Sequence, residues 1–582
     1  MLVVHGGNLL EAARLAGISI ASICGGQGRC GRCRVIVDKK GKNAGLITEV
    51  EESHLLREEL SAGYRLACRA TVEGDLTVKI PEESRSATQR LQVEGVETPV
   101  KLEPLVKKYY TELQKPTLED HSSDIDRLLN ELAFRYSLKN LEVKYDVFKN
   151  LPQTLRGSEW KVTTVVWDGK EIIAVEPDNN VLRNFGYAVD IGTTKLAGYL
   201  VDINTGEVLA ASSLVNPQVM YGDDVLTRIS HAMRGDEELD RLQQLVVSAT
   251  NQILLENCQT SGLSPREVYE MTVVGNTAMH HIFLKLPPKD LALSPYTPVV
   301  RRGLDIGAKD IGVEINPNGN IHILPVIAGF VGADAVSVIL ATGVHRRREL
   351  CLALDIGTNT EVILGGEDRI LACSCASGPA FEGARIKHGM RAESGAIERI
   401  KIDPETLEVH CQTVDEVDPC GICGSAMVDI LAEMLKAGII DVAGRMNTKV
   451  DSPRFRLGEA GQEFVLVDGE KTSTGRDIVV TQRDVRELQL AKGAIHTGVE
   501  ILLRKRGITE RQIEALFIAG ALGSHVDPES ARIIGLYPEI DIERVKVVGN
   551  AAGTGARMAL LSRKVRKEAE GVSKRVEYVE LA

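Results

Sequence analysis

Two pairs of similar stretches decide how this chain is expected to fold. The chain contains Val189-Asp190-Ile191-Gly192-Thr193-Thr194-Lys195, which returns as Leu354-Asp355-Ile356-Gly357-Thr358-Asn359-Thr360. A second pair follows in the same order, because Val273-Val274-Gly275-Asn276 returns as Val547-Val548-Gly549-Asn550. From Tyr187 onward, strand and helix patterns alternate, so this repeat predicts a duplicated α/β unit with a larger insertion in its second copy. Two such lobes would enclose a cleft.

Each Asp-Ile-Gly-Thr motif follows an apolar run that predicts a strand, and its residues suit phosphate binding. The glycine lets the backbone approach a phosphate, and the following hydroxyl and N–H groups can donate hydrogen bonds to it. The leading aspartates, Asp190 and Asp355, are candidates to hold hydrated Mg2+, because a hard cation prefers carboxylate and water oxygens. One motif would be a weak signal, but one copy in each lobe is specific. The predicted nucleotide-binding residues of the two motifs are Asp190, Gly192, Thr193, Thr194, Lys195, Asp355, Gly357, Thr358, Asn359 and Thr360.

The order of these motifs resembles the superfamily of acetate and sugar kinases, Hsc70 and actin, in which two ribonuclease-H-like lobes enclose a nucleotide. In this resemblance Val273–His281 matches the first connecting helix and Gly549–Met558 matches the second. Phe517–Ser524, a strand that ends in a glycine turn, matches the adenosine motif. The resemblance therefore adds Gly520, Ala521 and Gly523 to the predicted nucleotide-binding residues.

Four cysteines near the N-terminus predict an iron–sulfur cluster. Cys24, Cys30 and Cys33 are spaced C-x5-C-x2-C, and Cys68 follows 35 residues after the third. Thiolates with this spacing hold a 2Fe-2S cluster in plant-type and related ferredoxins. The intervening glycines, Gly25, Gly26, Gly28 and Gly31, allow the positive φ that such a loop needs. Zinc binding or free thiols are the alternatives, but a zinc site usually shows two C-x2-C pairs and only Cys30 and Cys33 are so spaced.

The residues around these cysteines predict a small β-grasp module like that of ferredoxins. Leu9–Gly17 has helical spacing, Val35–Val37 reads as a strand, and a second strand is expected from Leu76 to Ile80. Such modules usually begin with a two-stranded hairpin, whereas only Leu2-Val3-Val4 precedes the helix here. Either the true start lies upstream of residue 1 or the first strand is missing.

A linker and a small α+β domain are expected between the cysteine module and the repeat. Pro81 to Pro116 carries charge and several prolines without a sustained period, which predicts a linker that lets the cluster domain move. Ile125–Phe134 reads as a helix, and Trp160–Ala174 as two strands joined by the turn dipeptide Asp168-Gly169. The expected domains are a ferredoxin-like domain at 1–82, a linker at 83–117, a small middle domain at 118–182, ATPase lobe I at 183–348 and ATPase lobe II at 349–582.

An N-terminal 2Fe-2S module fused to an actin-type ATPase core resembles the reductive activators of corrinoid proteins, the activating enzymes of corrinoid-dependent methyltransferase systems. Ala376–Ala384, Gly389–Ala392 and Gly421–Ser425 look like the C-terminal domain of that family. The resemblance implies ATP-dependent, one-electron reduction of an inactive Co(II) corrinoid protein to Co(I). It also implies a 2Fe-2S cluster, ATP and Mg2+ as cofactors, with a low-potential external electron donor and a homodimer as further expectations.

ATP is needed in this scheme because the electron must pass from the cluster to an acceptor of lower reduction potential. A plant-type cluster has a potential near about -400 mV, and the Co(II)/Co(I) couple of the resembling family lies lower still. Each 59 mV uphill disfavours a one-electron transfer about tenfold. We therefore expect closure of the cleft on Mg-ATP to strengthen binding of the Co(II) form or to remove a cobalt ligand, and hydrolysis to release the reduced product.

Composition excludes several other classes of partner. The formal charge of -12 and the lack of a basic block argue against nucleic acid. The sequence contains no stretch of eighteen apolar residues and no basic-then-apolar leader, so we expect no membrane span. The 11 cysteines, most of them scattered, indicate reduced thiols and a cytoplasmic location.

Several assignments stay open at this point. Asp334 either positions the hydrolytic water or caps a helix. Cys420 and Cys423, with Cys373 and Cys375 upstream, form either a second metal site or a group of buried thiols. The loop Ser377–Gly395 either senses the nucleotide and touches the corrinoid partner or is a hinge.

Two other functions are alternatives to the reductive activator. One is a small-molecule kinase with a fused ferredoxin, and the other is an electron carrier whose lobes are a vestigial actin-like scaffold. The activators of 2-hydroxyacyl-CoA dehydratases also couple ATP to electron transfer, but they share a 4Fe-4S cluster between subunits. This chain instead carries four cysteines of its own in a dedicated domain.

Overall fold

The computed structural model describes most of the chain. The described residues are 6–15, 20, 26, 28, 31, 33–38, 43–81, 84, 99–222, 224–383, 385–390, 392–450, 452–458, 461–520 and 526–581. Leu2–Val4, Gly17, Ala384, Arg391 and most of the expected linker lie outside them. Within these ranges, no helix is both long enough and apolar enough to cross a membrane.

The N-terminal module is a small α+β unit with a three-stranded antiparallel sheet in the order β2-β1-β3. Its elements are α1 (Leu9–Leu15), β1 (Arg34–Val37), α2 (Glu49–His54), α3 (Arg57–Ser61), β2 (Tyr64–Leu66) and β3 (Val78–Lys79). The predicted helix and both predicted strands are present. Leu10, Val35 and Leu66 form part of its own apolar core.

A four-stranded sheet in the order β4-β6-β7-β5 forms the middle unit, with two helices packed against it. Its elements are β4 (Val106–Glu112), α4 (Asp124–Tyr136), β5 (Glu142–Val143), α5 (Tyr145–Gly157), β6 (Lys161–Trp167) and β7 (Glu171–Pro177). The predicted hairpin is present, and Asp168 and Gly169 both adopt positive φ in its turn, at 52° and 67°. However, β4 falls inside the range 83–117 expected to be a linker. Its pairing with β6 places residues 106–112 in this sheet instead.

Lobe I is built on a six-stranded sheet in the order β10-β9-β8-β11-β13-β12. The elements are β8 (Phe185–Ile191), β9 (Lys195–Asp202), β10 (Val208–Val215), α6 (Val225–Ala232), α7 (Asp236–Thr260), β11 (Val268–Gly275), α8 (Thr277–Phe283), β12 (Leu304–Gly307), α9 (Ala308–Ile311), β13 (Asn320–Ile323) and α10 (Ala333–Thr342). Strands β8, β9 and β10 are antiparallel, whereas β8, β11 and β13 run parallel.

Lobe II repeats the order of five of these strands in the sheet β24-β23-β14-β15-β16-β25, but its sixth strand, β25, lies at the opposite edge, beside β16. The sheet strands are β14 (Cys351–Ile356), β15 (Thr360–Gly365), β16 (Ile370–Cys375), β23 (Ala515–Ala519), β24 (Val545–Gly549) and β25 (Val576–Tyr578). The expected insertion lies between β16 and β23 and comprises β17 (Ala396–Ile402), β18 (Val409–Thr413), β19 (Gly421–Ile422), α11 (Gly424–Lys436), β20 (Phe455–Gly458), β21 (Gly461–Val467), β22 (Ile478–Thr481) and α12 (Gln482–Arg506). The remaining helices are α13 (Pro528–Ile533), α14 (Ala551–Leu561) and α15 (Arg563–Arg575).

The sheet orders correct one part of the predicted repeat. Val273–Asn276 ends β11, which is the parallel neighbour of β8, but Val547–Asn550 ends β24, which is one strand further from β14. The two stretches are alike because each ends a strand with an asparagine that caps the next helix. Asn276 accepts a hydrogen bond from Met279 N at 3.0 Å, and Asn550 accepts one from Gly553 N at 2.8 Å.

The first connecting helix is therefore α10 rather than the predicted Val273–His281. Helix α10 follows β13, leads directly into lobe II and packs against α14, the helix after β24. Helix α8, which contains His280 and His281, is buried within lobe I. The helices α10 and α14 share one apolar core with strands from both sheets, so this pair joins the two lobes.

Helix α14 also reaches the middle of the chain. At its C-terminal end, Leu561 O accepts a hydrogen bond from Glu103 N at 2.9 Å, and Arg563 N donates to Glu103 O at 2.9 Å. Residues 99–103 are the first described residues after the cysteine module and residue 84. The segment that leaves the N-terminal module therefore contacts the junction of α14 and α15.

Candidate functional site

A deep cleft lies between the two lobes at the ends of the central strands. It contains about 1360 Å³ of empty space, part of which is open to solvent. Of the predicted nucleotide-binding residues, those that line it are Asp190, Gly192, Thr193, Thr194, Lys195, Asp355, Gly357, Thr358, Asn359 and Gly520. Thr360 is instead buried in β15, where its hydroxyl lies 2.8 Å from that of Ser377. Ala521 and Gly523 lie outside the described residues.

The two phosphate-type motifs form tight hairpin turns that face each other across this cleft. Gly192 N donates to Lys195 O at 2.8 Å, and Gly357 N donates to Asn359 O at 3.1 Å. A Cβ atom at Gly192 would lie 2.7 Å from Lys195 O, so the first turn requires glycine. The result is a pair of narrow turns whose backbone can approach a ligand closely.

Asparagine side chains from other elements hold the first motif in place. Asn276 Nδ2 donates to Thr193 Oγ1 at 2.9 Å, and Asn550 Nδ2 donates to Asp190 Oδ2 at 3.1 Å. Both asparagines line the cleft and were missed as site residues. Each asparagine ends one copy of the repeated Val-Val-Gly-Asn stretch, and that position after an apolar strand was the sequence signal for it.

Five carboxylates line the cleft, and the environment of Asp190, Asp334, Asp355 and Glu361 disfavours uncompensated negative charge. Burial raises the pKa of Asp190 to about 7, with a further increase from the charge of Asp334. Burial, together with Asp334 and Asp190, raises the pKa of Asp355 to about 8. Burial likewise raises the pKa of Glu361 well above its ordinary range, with Asp334 and Asp355 adding to the effect. Such a site attracts a cation.

The donor set fits a hydrated hard cation better than a bare ion. Within the described ranges, no Lys or Arg side chain offsets the negative charges of Asp190, Asp355 and Glu361. In the same ranges, no three His, Cys, Asp or Glu side chains are close enough to ligate one ion directly. Mg2+ dehydrates reluctantly and usually keeps several waters, so carboxylates spread around a cleft suit it.

Asp334 is the second residue of α10 and is not its cap. Gly332 occupies the cap position, and Asp334 Oδ1 accepts from Ala335 N at 2.8 Å. The capping alternative is therefore wrong. Burial raises the pKa of Asp334 to about 6, although nearby backbone N–H groups lower it. Its carboxylate lines the cleft, where an aspartate can accept a hydrogen bond from a water.

The two described cysteines of the N-terminal motif lie at adjacent strand ends. Cys33 and Cys68 are both buried, and Ala67 N donates to Cys33 O at 2.7 Å. Gly26, Gly28 and Gly31 adopt positive φ, as predicted for a loop that folds around a cluster. Cys24, Cys30 and Gly25 lie outside the described residues. Two buried thiols at adjacent strand ends, beside a glycine loop, fit a 2Fe-2S cluster.

The N-terminal module touches lobe II through a short chain of charges. Glu59 of α3 accepts from Arg34 at 2.9 Å and from Arg476, which precedes β22, at 2.6 Å. Glu59 is buried, whereas the Arg476 side chain is 55% exposed. This contact therefore joins two parts of the chain through one partly exposed ion pair.

Comparisons with known proteins match the whole chain. Family models match residues 2–73 as a 2Fe-2S iron-sulfur cluster binding domain, 95–181 as the RACo linker region, 185–347 as the RACo middle region and 349–582 as the C-terminal ASKHA domain of RACo. The corrinoid activation enzyme RamQ of Eubacterium limosum is 32% identical over 577 residues, covering 97% of this chain and 92% of that protein. The chain belongs to the family of reductive activators of corrinoid proteins.

Two further relatives agree with this membership. The Co(II) methylated amine-specific corrinoid protein reductase of Methanosarcina barkeri is 25% identical over 421 residues, which cover 67% of this chain and 73% of that protein. A solved reductive activator for corrinoid, iron-sulfur protein is 38% identical, with a TM-score of 0.77, covering 100% of this chain and 94% of that one. The activator is thus an ATP-dependent reductase with a 2Fe-2S domain and an ASKHA ATPase domain.

The activator contains cleft residues that sequence reasoning did not assign to the nucleotide. Besides the two asparagines, they include Ser213, Glu361, Phe381, Glu382, Ala392, Cys423, Gly424 and Ser425. Several of these come from the loop 377–395 and from the start of α11. Glu382 accepts a hydrogen bond from Thr358 Oγ1 at 2.7 Å, so this loop contacts the second phosphate-type turn directly.

The additional cysteines of the activator are packed among other side chains. Cys423 lines the cleft, with its Sγ 3.0 Å from Ser425 Oγ, and Cys420 Sγ lies 3.5 Å from Met390 Sδ. Cys373 and Cys375 lie two residues apart on β16 and are fully buried against Gly498 of α12. These contacts favour the interpretation of buried thiols for Cys373, Cys375 and Cys423, whereas Cys420 is half-buried.

Proposed function

We propose that this activator binds Mg-ATP between its lobes and uses that binding to make the one-electron reduction of a Co(II) corrinoid protein favourable. The observation that carries the proposal is the meeting of Asp190 and Asp355, with their glycine turns, on the two walls of one cleft. When bound, the 2Fe-2S cluster supplies single electrons at low potential.

Residues of the two lobes contact each other in the cleft, so nucleotide binding there can change how the lobes are arranged. Thr194 Oγ1 of lobe I and Thr358 Oγ1 of lobe II are 2.9 Å apart. Phosphate oxygens are strong acceptors and compete for both hydroxyls. A cation near Asp190, Asp334 and Asp355 would offset the repulsion between carboxylates of the two walls. Nucleotide and cation together would therefore replace the direct contact between the lobes with one that runs through the phosphate and the cation.

The coupling acts through the surface that meets the corrinoid protein. In the proposal, the closed form binds the Co(II) state more tightly or draws a ligand away from its cobalt, and hydrolysis returns the lobes to the open form. A shift of 59 mV in the cobalt potential changes the equilibrium of electron transfer about tenfold. Differential binding of about 1.4 kcal/mol is needed for each such step.

The finer assignments belong to this proposal as well. Mg2+ is held through water by Asp190 and Asp355, and Asp334 orients the attacking water. The electron comes from an external low-potential donor, and the partner is a corrinoid protein in the cytoplasm. The homodimer expected from the family resemblance completes the proposal.

The test is reduction of a Co(II) corrinoid protein followed optically with and without ATP. The panel of partners should include a methylated-amine corrinoid protein and a corrinoid iron–sulfur protein, since the relatives are named after these. We expect the Co(I) spectrum only with ATP, and faster ATP hydrolysis with the right Co(II) partner. Equal reduction rates with and without ATP would contradict the coupling. Phosphate transfer to a small molecule would favour a kinase, and failure to bind ATP would favour a simple electron carrier.

A further inference from the structure

Each lobe places three residues in one row across its first three strands. In an antiparallel sheet, residues directly opposite each other project from the same face. In lobe I, Ala197 of β9 is opposite both Asp190 of β8 and Ser213 of β10. In lobe II, Glu361 of β15 is opposite both Asp355 of β14 and Ser374 of β16. The rows thus read Asp-Ala-Ser and Asp-Glu-Ser.

The middle position is the one at which the two rows differ. Both Ala197 and Glu361 line the cleft, and lobe I shows that the fold accepts alanine there. The additional carboxylate of lobe II is therefore not demanded by the architecture of the sheet. Because Glu361 is only 5% exposed and burying a charge is costly, its presence calls for a reason in the cleft.

The surroundings of Glu361 hold its carboxylate in one orientation. Ser374 Oγ donates to Glu361 Oε1 at 3.1 Å, so one oxygen is fixed from the side of β16. On the other side lies Asp355, and like charges directly opposite each other destabilise a sheet. Within the described ranges, neither carboxylate forms an ion pair with Lys or Arg, so a cation from outside the chain is the compensating charge that fits.

We infer that Glu361 is a positioning residue which, together with Asp355, holds the water shell of the divalent cation against lobe II. This inference rests on the proposed binding of Mg-ATP. It makes the site asymmetric: lobe I offers the cation a single carboxylate from its row, whereas lobe II offers two. The cation would then stay with lobe II when the lobes separate.

The inference is tested by the metal dependence of nucleotide binding in the full-length protein. Binding of a fluorescent ATP analogue is titrated with Mg2+ at fixed nucleotide, for the wild type, Glu361→Gln and Glu361→Ala. Glutamine keeps the acceptor for Ser374 and removes the charge, and alanine reproduces the row of lobe I. We expect the half-saturating Mg2+ concentration to rise about 10- to 100-fold, as for other residues that orient a metal through its outer shell. Nucleotide binding without metal should be unchanged or tighter.

Glu367→Gln is the matched control. Glu367 is exposed in the turn that joins β15 to β16, at the far end of the same strands, so its loss should leave the Mg2+ titration unchanged. An unchanged titration in both Glu361 variants would overturn the inference. Slower hydrolysis with an unchanged Mg2+ titration would also overturn it, because Glu361 would then act on the attacking water.

Two further outcomes are separable from these. If Glu361→Gln no longer folds, as judged by its circular dichroism and melting, the residue is structural and the inference is wrong. If the wild type itself binds nucleotide with no dependence on Mg2+, the proposed function fails before the role of Glu361 is reached.

Discussion

Thr194 and Thr358 bring the two lobes into direct contact, with their hydroxyl oxygens 2.9 Å apart although they are 164 positions apart in sequence. Each threonine follows the glycine of its own phosphate-type turn. Thr358 Oγ1 also donates to Glu382, so one hydroxyl links the opposite lobe to the loop 377–395. These hydroxyls would therefore change their hydrogen-bond partners if a phosphate lay between the turns.

We expect Thr194→Val and Thr358→Val each to weaken ATP binding about 10- to 100-fold. A hydrogen bond to a charged group contributes about 1.5 to 3 kcal/mol, and every 1.4 kcal/mol is about tenfold in affinity. The measurement is a dissociation constant for ATP from fluorescence or calorimetry. Thr194→Ser and Thr358→Ser are the controls, because serine keeps the hydroxyl. Equal weakening in the serine variants would show that the methyl groups, rather than the hydroxyls, are needed.

Loss of a cluster ligand should separate electron transfer from nucleotide binding. We expect Cys30→Ser, Cys33→Ser and Cys68→Ser each to lose visible absorbance and bound iron, and to abolish reduction of the corrinoid protein. ATP binding should stay within about twofold of wild type, because the cleft lies in other parts of the chain. Cys411→Ser, at an exposed site in β18, should retain both properties. Concurrent loss of ATP binding would mean that the cluster is structural.

Acid should weaken the N-terminal module through Glu51. Burial by itself would raise the pKa of Glu51, but hydrogen bonds from Arg65, Thr48 N and Leu66 N bring it below its ordinary value. A carboxylate whose folded pKa is depressed stabilises the fold above its unfolded pKa, about 4.3, and this contribution is lost as the pH falls through the folded pKa.

The matching substitution is Glu51→Gln, which leaves the buried Arg65 without its charge partner. We expect it to cost about 3 to 5 kcal/mol at pH 7 and to remove most of the acid sensitivity below pH about 4. Cluster absorbance during acid and thermal unfolding gives the measurement. Glu52→Gln, on the exposed side of the same helix, should leave both unchanged. An acid transition that persists unaltered in Glu51→Gln would assign the sensitivity to another group.

Reversing the charge of Arg476 should shift the N-terminal module away from lobe II. A partly exposed ion pair is worth about 0.2 to 1 kcal/mol, so the ratio of docked to undocked molecules should fall up to about fivefold in Arg476→Glu. Small-angle X-ray scattering at low salt measures the change as a larger radius of gyration. Arg486→Glu, at an exposed site on α12 that bonds to Gln489 of its own helix, is the control. Identical scattering of Arg476→Glu and wild type would show that the pair does not hold the module.

Local chemistry made the central residues of the cleft predictable. Asp190 and Asp355 stand before a glycine and a threonine in both copies of one motif, and this pattern alone predicts a phosphate-binding turn. Glu361 gives no such signal, because its projection into the cleft depends on the register between β14 and β15. That register depends on the whole hairpin of β14 and β15 rather than on the residues next to Glu361.

The errors at the level of the fold have a similar origin. Val273–Asn276 and Val547–Asn550 are alike because both end a strand and cap a helix, and this local role is independent of where the strand lies in its sheet. Strand β4 was not predicted because its sequence contains charged residues. Lys108 reads as a surface residue, yet its side chain is 2% exposed and forms an ion pair with Glu176 at 2.7 Å. Only the folded sheet shows that this buried charge is compensated by Glu176 of β7.

Helix α14 connects the cleft with the segment that precedes the middle sheet. Asn550, which caps one end, bonds to Asp190 in the cleft, and Leu561 at the other end bonds to Glu103. Eleven helical residues span about 16 Å, so a tilt of about 10° would move the far end by about 3 Å. A small adjustment at Asp190 would thus be amplified at Glu103, where the segment ahead of the middle sheet meets this helix.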